Sequence, residues 1–218
     1  MNIGVLGTGM VGDAIGTKLV QLGHNVKMGS RTATNAKAAE WVKKNGALAS
    51  QGTFADAAGF ADEFIFNCTS GIGSIDALTA AGTAKLKGKI LIDISNPLDF
   101  SKGFPPSLTV CNTDSLGEQI QKAFPDTKVV KTFNTMSNPL MVNPMLLNNG
   151  DHTLPICGND ESAKAKVISF LTTFGWKKEN FFDLGDITAA RGMEGYLLLW
   201  TRMYGKVQSP MFQIKIVK

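Results

Sequence analysis

The chain has 218 residues, of which 44% are hydrophobic and 18% charged, and its formal net charge is +4 at pH 7. This length suits one sizeable α/β domain, and the composition is typical of a soluble globular protein. The net charge is mild and no run of Lys or Arg occurs, so the sequence gives no indication of nucleic-acid binding. No apolar stretch approaches the roughly 20 residues that span a bilayer, so no membrane contact is expected.

The three cysteines, Cys68, Cys111 and Cys157, are scattered along the chain. Their number and spacing match neither a disulfide framework nor a metal site, so we expect no bound metal and a reduced, cytoplasmic setting. The apolar run begins at the second residue, and we therefore expect no signal peptide.

The first predicted elements are a strand at residues 2–6 and a helix that runs to about residue 22. Between them Gly7, Gly9 and Gly12 stand in G-x-G-x-x-G spacing. The first glycine permits a tight turn, the second admits a pyrophosphate to the backbone, and the third lets the helix pack closely on the strand. The helix N-terminus adds unpaired N–H groups for the phosphates. This stretch predicts dinucleotide binding; the alternative is a glycine-rich turn without a ligand.

Strands and helices continue to alternate through the first half of the chain. Apolar runs predict strands at residues 25–28, 47–50, 63–69 and 89–95, and helices are expected at residues 34–44, 54–60 and 75–81. Nearly continuous apolar runs are typical of parallel strands that are buried on both faces. The order predicts an α/β fold of the Rossmann type, with a doubly wound, mostly parallel sheet.

The second half begins with a long, proline-containing connection at residues 96–114, and connections of this length are usually functional or disordered. Ser115 and Glu118 form a capping-box pattern that starts a helix ending near residue 124. Strands are predicted at residues 128–135, 153–157 and 212–216, and a helix is predicted at residues 161–174.

A small C-terminal helix-strand addition, at about residues 184–218, completes what we predict to be a single domain over residues 1–218. Apolar residues at helical spacing predict a helix over residues 187–204. This helix carries Trp200, Met203 and Tyr204, and a small core does not cover three such side chains, so we expect the chain to associate as a homodimer.

The end of the second predicted strand discriminates between NAD and NADP. NAD sites place an Asp or Glu there to hold the ribose 2′-hydroxyl, whereas this chain has Ser30 and Arg31. A guanidinium pairs with a 2′-phosphate and a hydroxyl donates to it, so the sequence predicts NADP as the cofactor. Lys37 either reaches the same phosphate or is a solvated surface lysine.

No acid–base machinery is apparent at the predicted ligand edge, where the carboxyl ends of the strands meet. His24 and His152 stand just before predicted strands, so we expect both at the opposite edge, on the surface. Asp93 lies inside a strand and is explained equally well as structural. We therefore expect no catalytic side chain, and a hydride transfer between two bound cofactors that the protein positions.

Polar turns follow three of the predicted strands and supply candidate ligand contacts. Their leading residues are Thr69 and Ser70, Asn96 and Pro97, and Asn134. Because parallel strands end at the same edge of a sheet, we expect these turns to form the floor of the site. The alternative for each turn is a simple helix cap.

Five motifs occur in a characteristic order: GTGMVG, GSR, DISNPL, KTFNTMS and DLGDITAARGMEG. With them the chain resembles the family of NADPH-dependent oxidoreductases typified by the reductase of the deazaflavin coenzyme F420. It is also similar to the cytosolic domain of six-transmembrane metalloreductases.

The resemblance implies roles for the matching residues. Met136 takes the place of the apolar residue behind the nicotinamide ring, and Asn138 that of a backbone contact to the carboxamide. The implied contacts to the pyrophosphate and the 2′-phosphate are Thr8, Gly9, Met10 and Val11, and Ser30 and Arg31.

Two features of the resemblance concern the second ligand. Arg191 and Glu194 match a recurring pair, for which an intrahelical ion pair is the alternative. Asn134 stands where deazaflavin reductases tend to have a histidine, and Gly195 and Leu197 replace polar residues. The identity of the second cofactor therefore stays open.

The sequence thus predicts an NADP-dependent oxidoreductase that passes a hydride between NADP(H) and a small-molecule redox acceptor. The candidate acceptors are coenzyme F420, FMN and FAD. One alternative is a dehydrogenase of a small imine or hydroxy acid, although such families usually carry a large helical C-terminal domain. The other is a non-catalytic NADPH-binding sensor or partner protein.

Overall fold

The computed structural model of the protein describes residues 1–217. Within these residues the strands are β1 (Asn2–Leu6), β2 (Asn25–Ser30), β3 (Ala49–Thr53), β4 (Phe64–Asn67), β5 (Ile90–Asp93), β6 (Leu98–Asp99), β7 (Ser107–Leu108), β8 (Lys128–Thr132), β9 (Leu154–Cys157) and β10 (Phe181–Asp183). The α-helices are α1 (Met10–Gln21), α2 (Ala36–Asn45), α3 (Phe54–Phe60), α4 (Ser74–Ala81), α5 (Thr83–Leu86), α6 (Leu116–Ala123), α7 (Asn138–Val142), α8 (Glu161–Thr172) and α9 (Ala190–Val207).

Eight strands form one sheet in the order β10-β9-β8-β5-β4-β1-β2-β3, and β6 pairs with β7 in a separate antiparallel ribbon. Every pair from β3 across to β8 is parallel. β9 runs antiparallel to β8, and β10 is parallel to β9. This mostly parallel sheet confirms the predicted Rossmann-type fold.

Two hydrophobic cores lie on opposite faces of the sheet. Consecutive strand residues alternate between them, so that Phe64 and Phe66 enter one core and Ile65 enters the other. Helices α1, α2 and α8 cover the first face, and α3, α4, α6 and α9 contribute to the second. Trp41 of α2 is buried, and its indole N–H donates to Thr17 Oγ1 at 3.1 Å.

The strand order fixes where a ligand can enter. After β1 the chain builds β2 and β3 on one side, and then returns to place β4 on the other side of β1. The crevice outside the carboxyl ends of β1 and β4 is the switch point at which open α/β sheets bind their ligands. The turns after β1, β2, β4, β5 and β8 all end at this edge, because these strands are parallel.

The reversed direction of β9 overturns the expectation for His152. This residue precedes β9, but an antiparallel strand begins at the carboxyl edge of its neighbour, so His152 does not lie at the opposite edge. Its side chain is buried against Trp176, with Nε2 3.1 Å from the Pro144 carbonyl oxygen. His24 lies at the amino end of β2, half-buried against the ring of Phe170.

The prediction of a strand at residues 212–216 is wrong. This segment forms no strand, although the Ile214 carbonyl accepts the Thr153 N–H at 3.0 Å. The ring of Phe212 stacks on Trp200 of α9, with the two ring centroids 5.1 Å apart. Residues 211–214 are all half-buried and residues 215–217 are exposed, so the apolar alternation of the sequence does not correspond to alternating burial.

The long connection at residues 96–114 is folded onto the C-terminal helix. It contains the β6–β7 ribbon, and the ring of Phe104 meets Tyr204 of α9 edge-on, with the ring centroids 6.2 Å apart. Among residues 1–217 no helix is long and apolar enough to cross a membrane, and no group of three or more His, Cys, Asp and Glu side chains is arranged to hold a metal ion.

Candidate dinucleotide site

The glycine-rich turn joins β1 to α1 by close backbone contacts. Gly7 has φ +115°, a left-handed conformation, and its N–H donates to the Gly29 carbonyl at 3.0 Å. A Cβ at Gly7 would lie 2.6 Å from the carbonyl oxygen of Cys68. A Cβ at Gly12 would lie 2.1 Å from the carbonyl oxygen of Gly7, so only glycine allows α1 to start this close to β1.

Gly9 is different, because its Cβ position faces open space. No atom lies within 4 Å of a Cβ built there, and Gly9 is the N-cap of α1. No side chain of the described residues caps this helix end, so the first N–H groups of α1 point to open space along with the positive end of the helix dipole. Thr8, Gly9 and Met10 line a cleft of about 460 Å³.

The far wall of this cleft belongs to α2. The cleft-lining residues outside the turn include Lys37, Glu40, Trp41 and Lys44 of α2, and Asn138 of α7. Val11, by contrast, points away from the cleft and packs partly buried on the core. The cleft therefore combines bare backbone with side chains of both charges.

At the end of β2, the side chain of Ser30 is already hydrogen-bonded, whereas that of Arg31 is free to bind a ligand. The Ser30 hydroxyl donates to the Thr32 carbonyl at 2.6 Å and accepts the Thr32 N–H at 3.3 Å, so it closes its own turn. Arg31 is exposed and makes no ion pair or hydrogen bond within residues 1–217. Arg31 is therefore free to meet an anion at the end of β2, where no carboxylate stands, although neither Ser30 nor Arg31 is among the residues that line the cleft.

The turns after β4 and β5 contact each other directly. A Cβ at Gly71 would lie 2.0 Å from the Asn96 carbonyl oxygen, which makes glycine necessary at this approach. Thr69 donates from its hydroxyl to Asn67 Oδ1 at 2.6 Å, while Ser70 is exposed and Pro97 is buried.

A reciprocal amide pair joins the ends of β5 and β8. Asn134 Nδ2 donates to Asn96 Oδ1 at 2.9 Å, and Asn96 Nδ2 donates to the Asn134 carbonyl at 2.8 Å. The second Asn134 N–H goes to the Met193 carbonyl at 3.0 Å. Further along the same turn Met136 is 6% exposed, and Asn138 Nδ2 lies 3.4 Å from the Met10 carbonyl. The structure therefore brings the polar turns to one edge, as we expected.

Sequence reasoning missed a buried charge cluster behind these turns. Lys131 Nζ lies 2.7 Å from Asp93 Oδ2 and 2.8 Å from Glu194 Oε1, and it donates to the Ser95 carbonyl at 2.8 Å. All three ionic side chains are at most 2% exposed. Burial alone would lower the pKa of Lys131, but the carboxylates of Asp93 and Glu194 raise it, so the ammonium stays charged.

The intrahelical ion pair considered for Arg191 and Glu194 is wrong. Arg191 instead binds Glu118 of α6 with two hydrogen bonds, at 2.9 and 2.6 Å, and this contact lowers the pKa of Glu118. Residues three apart on a helix share a face, but each of these side chains meets a stronger partner on another element. The sequence did contain a sign of the buried charge cluster, because Lys131 interrupts the otherwise apolar strand β8.

Comparisons with known proteins agree with this geometry. A family model described as NADP oxidoreductase, coenzyme F420-dependent, matches residues 2–97. The crystal structure of a candidate F420-dependent NADP reductase from Arthrobacter sp. FB24 matches with a TM-score of 0.92 and 47% identity, covering 99% of each chain.

Two curated relatives are more distant. Metalloreductase STEAP3 of Rattus norvegicus is 30% identical over 88% of this chain and 35% of that protein. The F420-dependent NADP reductase of Methanocaldococcus jannaschii is 29% identical over 61% of this chain and 58% of that protein. The chain therefore spans less than two thirds of the length of either relative.

Proposed function

Because the chain belongs to the family of coenzyme F420-dependent NADP oxidoreductases, and is thus an NADP-dependent oxidoreductase, we propose that it transfers a hydride between NADP(H) and a flavin or deazaflavin acceptor. The acceptor class comes from the named relatives and from the chemistry of the site. Coenzyme F420, FMN and FAD are its members to be tested.

One observation carries the proposal. An open backbone turn at Gly9 and an unpaired cation at Arg31 occupy one end of the ligand edge. The turn at its other end, residues 134–138, contains no ionisable side chain. Hydride transfer between two bound cofactors requires binding and orientation by the protein and no general base.

The residues present fit the pyrophosphate of NADP(H). The N–H groups at the start of α1 would donate to its oxygens, and the bare Cα of Gly9 leaves room for close approach. The close backbone contacts at Gly7 and Gly12 hold the turn in this shape.

Arg31 fits the 2′-phosphate. A guanidinium binds phosphate through parallel charge-assisted hydrogen bonds, and Arg31 has no protein partner to give up among the described residues. Ser30 already donates to Thr32 and would have to exchange this bond for one to the phosphate.

The nicotinamide would lie toward β8. In this arrangement Met136 would lie behind the ring. Asn138, whose side chain lies next to the Met10 carbonyl, would contact the carboxamide through its backbone. When bound, the nicotinamide and the acceptor ring supply the redox chemistry themselves. The protein's own contribution is to hold the two rings together and to limit the access of water.

Replacing Arg31 with alanine is expected to weaken NADPH binding about 10- to 100-fold, because a charge-assisted bond is worth about 1.5–3 kcal/mol. NADH binding should not change, since NADH lacks the 2′-phosphate. Titration calorimetry with both nucleotides measures the two effects.

Lys43→Ala is the matched control, because this exposed cation of α2 is neither at the end of β2 nor among the cleft-lining residues. It should alter neither affinity. An Arg31→Ala variant that loses NADPH and NADH affinity equally, or loses neither, would contradict the assignment of Arg31 to the 2′-phosphate.

The acceptor is tested by mixing the protein with NADPH and, in separate anaerobic reactions, coenzyme F420, FMN or FAD. The proposal expects protein-dependent oxidation of NADPH with at least one of them. Tight NADPH binding without oxidation by any acceptor would reject the proposal and favour a non-catalytic NADPH-binding partner protein.

We extend the proposal to a cytoplasmic homodimer. Leu198 and Leu199 of α9 are exposed, as are Val207 and the neighbouring Phe104, and they offer apolar surface to a second copy. Sedimentation velocity distinguishes this state from a monomer.

A further inference from the structure

The first turns of α9 are bound to other elements through the Met193 carbonyl and the Glu194 carboxylate. Glu194 accepts the N–H groups of Leu116 and Gly117 at 2.8 and 3.0 Å, so its carboxylate occupies the N-terminus of α6. The same carboxylate pairs with Lys131. The preceding residue, Met193, receives the Asn134 side-chain amide on its carbonyl oxygen.

The cluster around Lys131 has no free hydrogen-bonding position on its ammonium. The three Nζ partners are Asp93, Ser95 and Glu194. Asp93 also accepts Asn67 Nδ2 at 2.8 Å through its other oxygen. The cluster thus ties the carboxyl ends of β4, β5 and β8 to α6 and α9, and any displacement of α9 would leave a buried charge without a partner.

The side-chain amide of Asn134 links α9 to the ligand edge. Both N–H bonds of Asn134 are taken, by Asn96 and by Met193, which fixes the orientation of its side chain. Since Glu194 follows Met193 directly, its bonds to Lys131 and to the N–H groups of α6 hold the part of α9 that carries the Met193 carbonyl. Asn134 and Asn96 in turn join the two turns that face the proposed nicotinamide end.

We propose that Glu194 and Lys131 are positioning residues for hydride transfer, acting through the Met193 carbonyl on Asn134. This inference rests on the proposed function for its kinetic effect. Neither residue touches the ligands, because both side chains are buried beneath the turns. Their role is to hold the ring-binding end of the site in one geometry.

Glu194→Gln removes the charge and keeps the size of the side chain. It is expected to lower kcat about 100-fold, the typical cost of a misplacement of about 1 Å. KM for NADPH should stay unchanged, because the phosphate contacts lie on β1, α1 and β2. The stoichiometry of NADPH binding gives the concentration of folded sites. Expressing kcat per folded site removes the effect of any loss of stability.

A double-mutant cycle with Asn134→Ala separates positioning from general packing. If Glu194 acts through Asn134, the double variant should be no slower than the slower single variant. Additive losses in kcat would overturn the proposal.

Lys164→Met is the matched control. Lys164 is equally buried and also binds two carboxylates and a carbonyl: Glu161 at 2.8 Å, Asp183 at 2.9 Å and the Gly185 oxygen at 3.2 Å. It lies on α8, away from the ligand edge, so its loss should leave kcat unchanged. A Glu194→Gln variant whose kcat falls no further than that of Lys164→Met would also overturn the proposal.

A readout without turnover distinguishes this inference from the proposed function. The side-chain amide of Asn134 gives an NMR signal that is identified by its loss in Asn134→Ala. Glu194→Gln should shift this signal and speed its exchange with water, and Lys164→Met should not. An unmoved signal rejects the positioning role even if no acceptor is reduced, whereas a moved signal with no turnover rejects only the proposed function.

Discussion

Replacing Gly9 with alanine is expected to weaken NADPH binding about 100-fold, or about 2.7 kcal/mol, without changing Tm. The backbone there is extended, with φ −81° and ψ −175°, so alanine fits without strain. The added Cβ meets no protein atom within 4 Å, but it occupies the space through which we propose that the pyrophosphate approaches. Calorimetric titration and a thermal melt of the same preparation measure both quantities.

Gly59→Ala is the control for this experiment. Gly59 is exposed on α3, and a Cβ there would make ordinary contacts, the nearest atom being Lys85 Cδ at 3.5 Å. Alanine should stabilise this helix by up to about 1 kcal/mol and leave NADPH binding unchanged. Unaltered NADPH affinity in Gly9→Ala would show that the open turn does not carry the pyrophosphate.

Lys131→Met is expected to lower the free energy of unfolding by about 3–5 kcal/mol, because Asp93 and Glu194 would remain buried without their cation. Urea denaturation monitored by tryptophan fluorescence measures this loss. A variant that also carries Glu194→Gln should recover part of it, since one of the two stranded charges is then removed.

The contrast with Lys164 isolates the cause. Lys164 is as buried as Lys131, but its partners Glu161 and Asp183 are 81% and 40% exposed. Water can solvate these carboxylates when the lysine is removed, so Lys164→Met should cost about 1 kcal/mol or less. Equal losses in the two lysine variants would contradict the view that stranded buried carboxylates dominate the effect.

Local patterns account for the parts of the fold that could be predicted from the sequence. The three glycines of the first turn lie where their spacing placed them. Ser115 caps α6, its hydroxyl accepting the Glu118 N–H at 3.1 Å. The capping box is incomplete, however, because the Ser115 N–H donates to Asp114 and the Glu118 carboxylate binds Arg191. A capping pattern predicts the start of a helix, but it does not predict which distant cation competes for the carboxylate.

The features that escaped prediction depend on pairings across the sheet. The direction of β9, and with it the position of His152, is set by pairing with β8 and leaves no mark in the apolar pattern. The Lys131 cluster requires the register in which Asp93 stands opposite Lys131, together with a helix that begins about sixty residues later. Composition and spacing do not contain this information.

Direct hydride transfer is tested most directly by a single-turnover reaction. The protein is loaded with NADPH carrying deuterium at the transferred position of nicotinamide C4, and is mixed with coenzyme F420, FMN or FAD in the absence of oxygen. We predict that NADPH is oxidised only when an acceptor is present, and that deuterium slows the reaction with the acceptor that works. NADPH that stays bound and unoxidised with all three acceptors would contradict the proposed transfer.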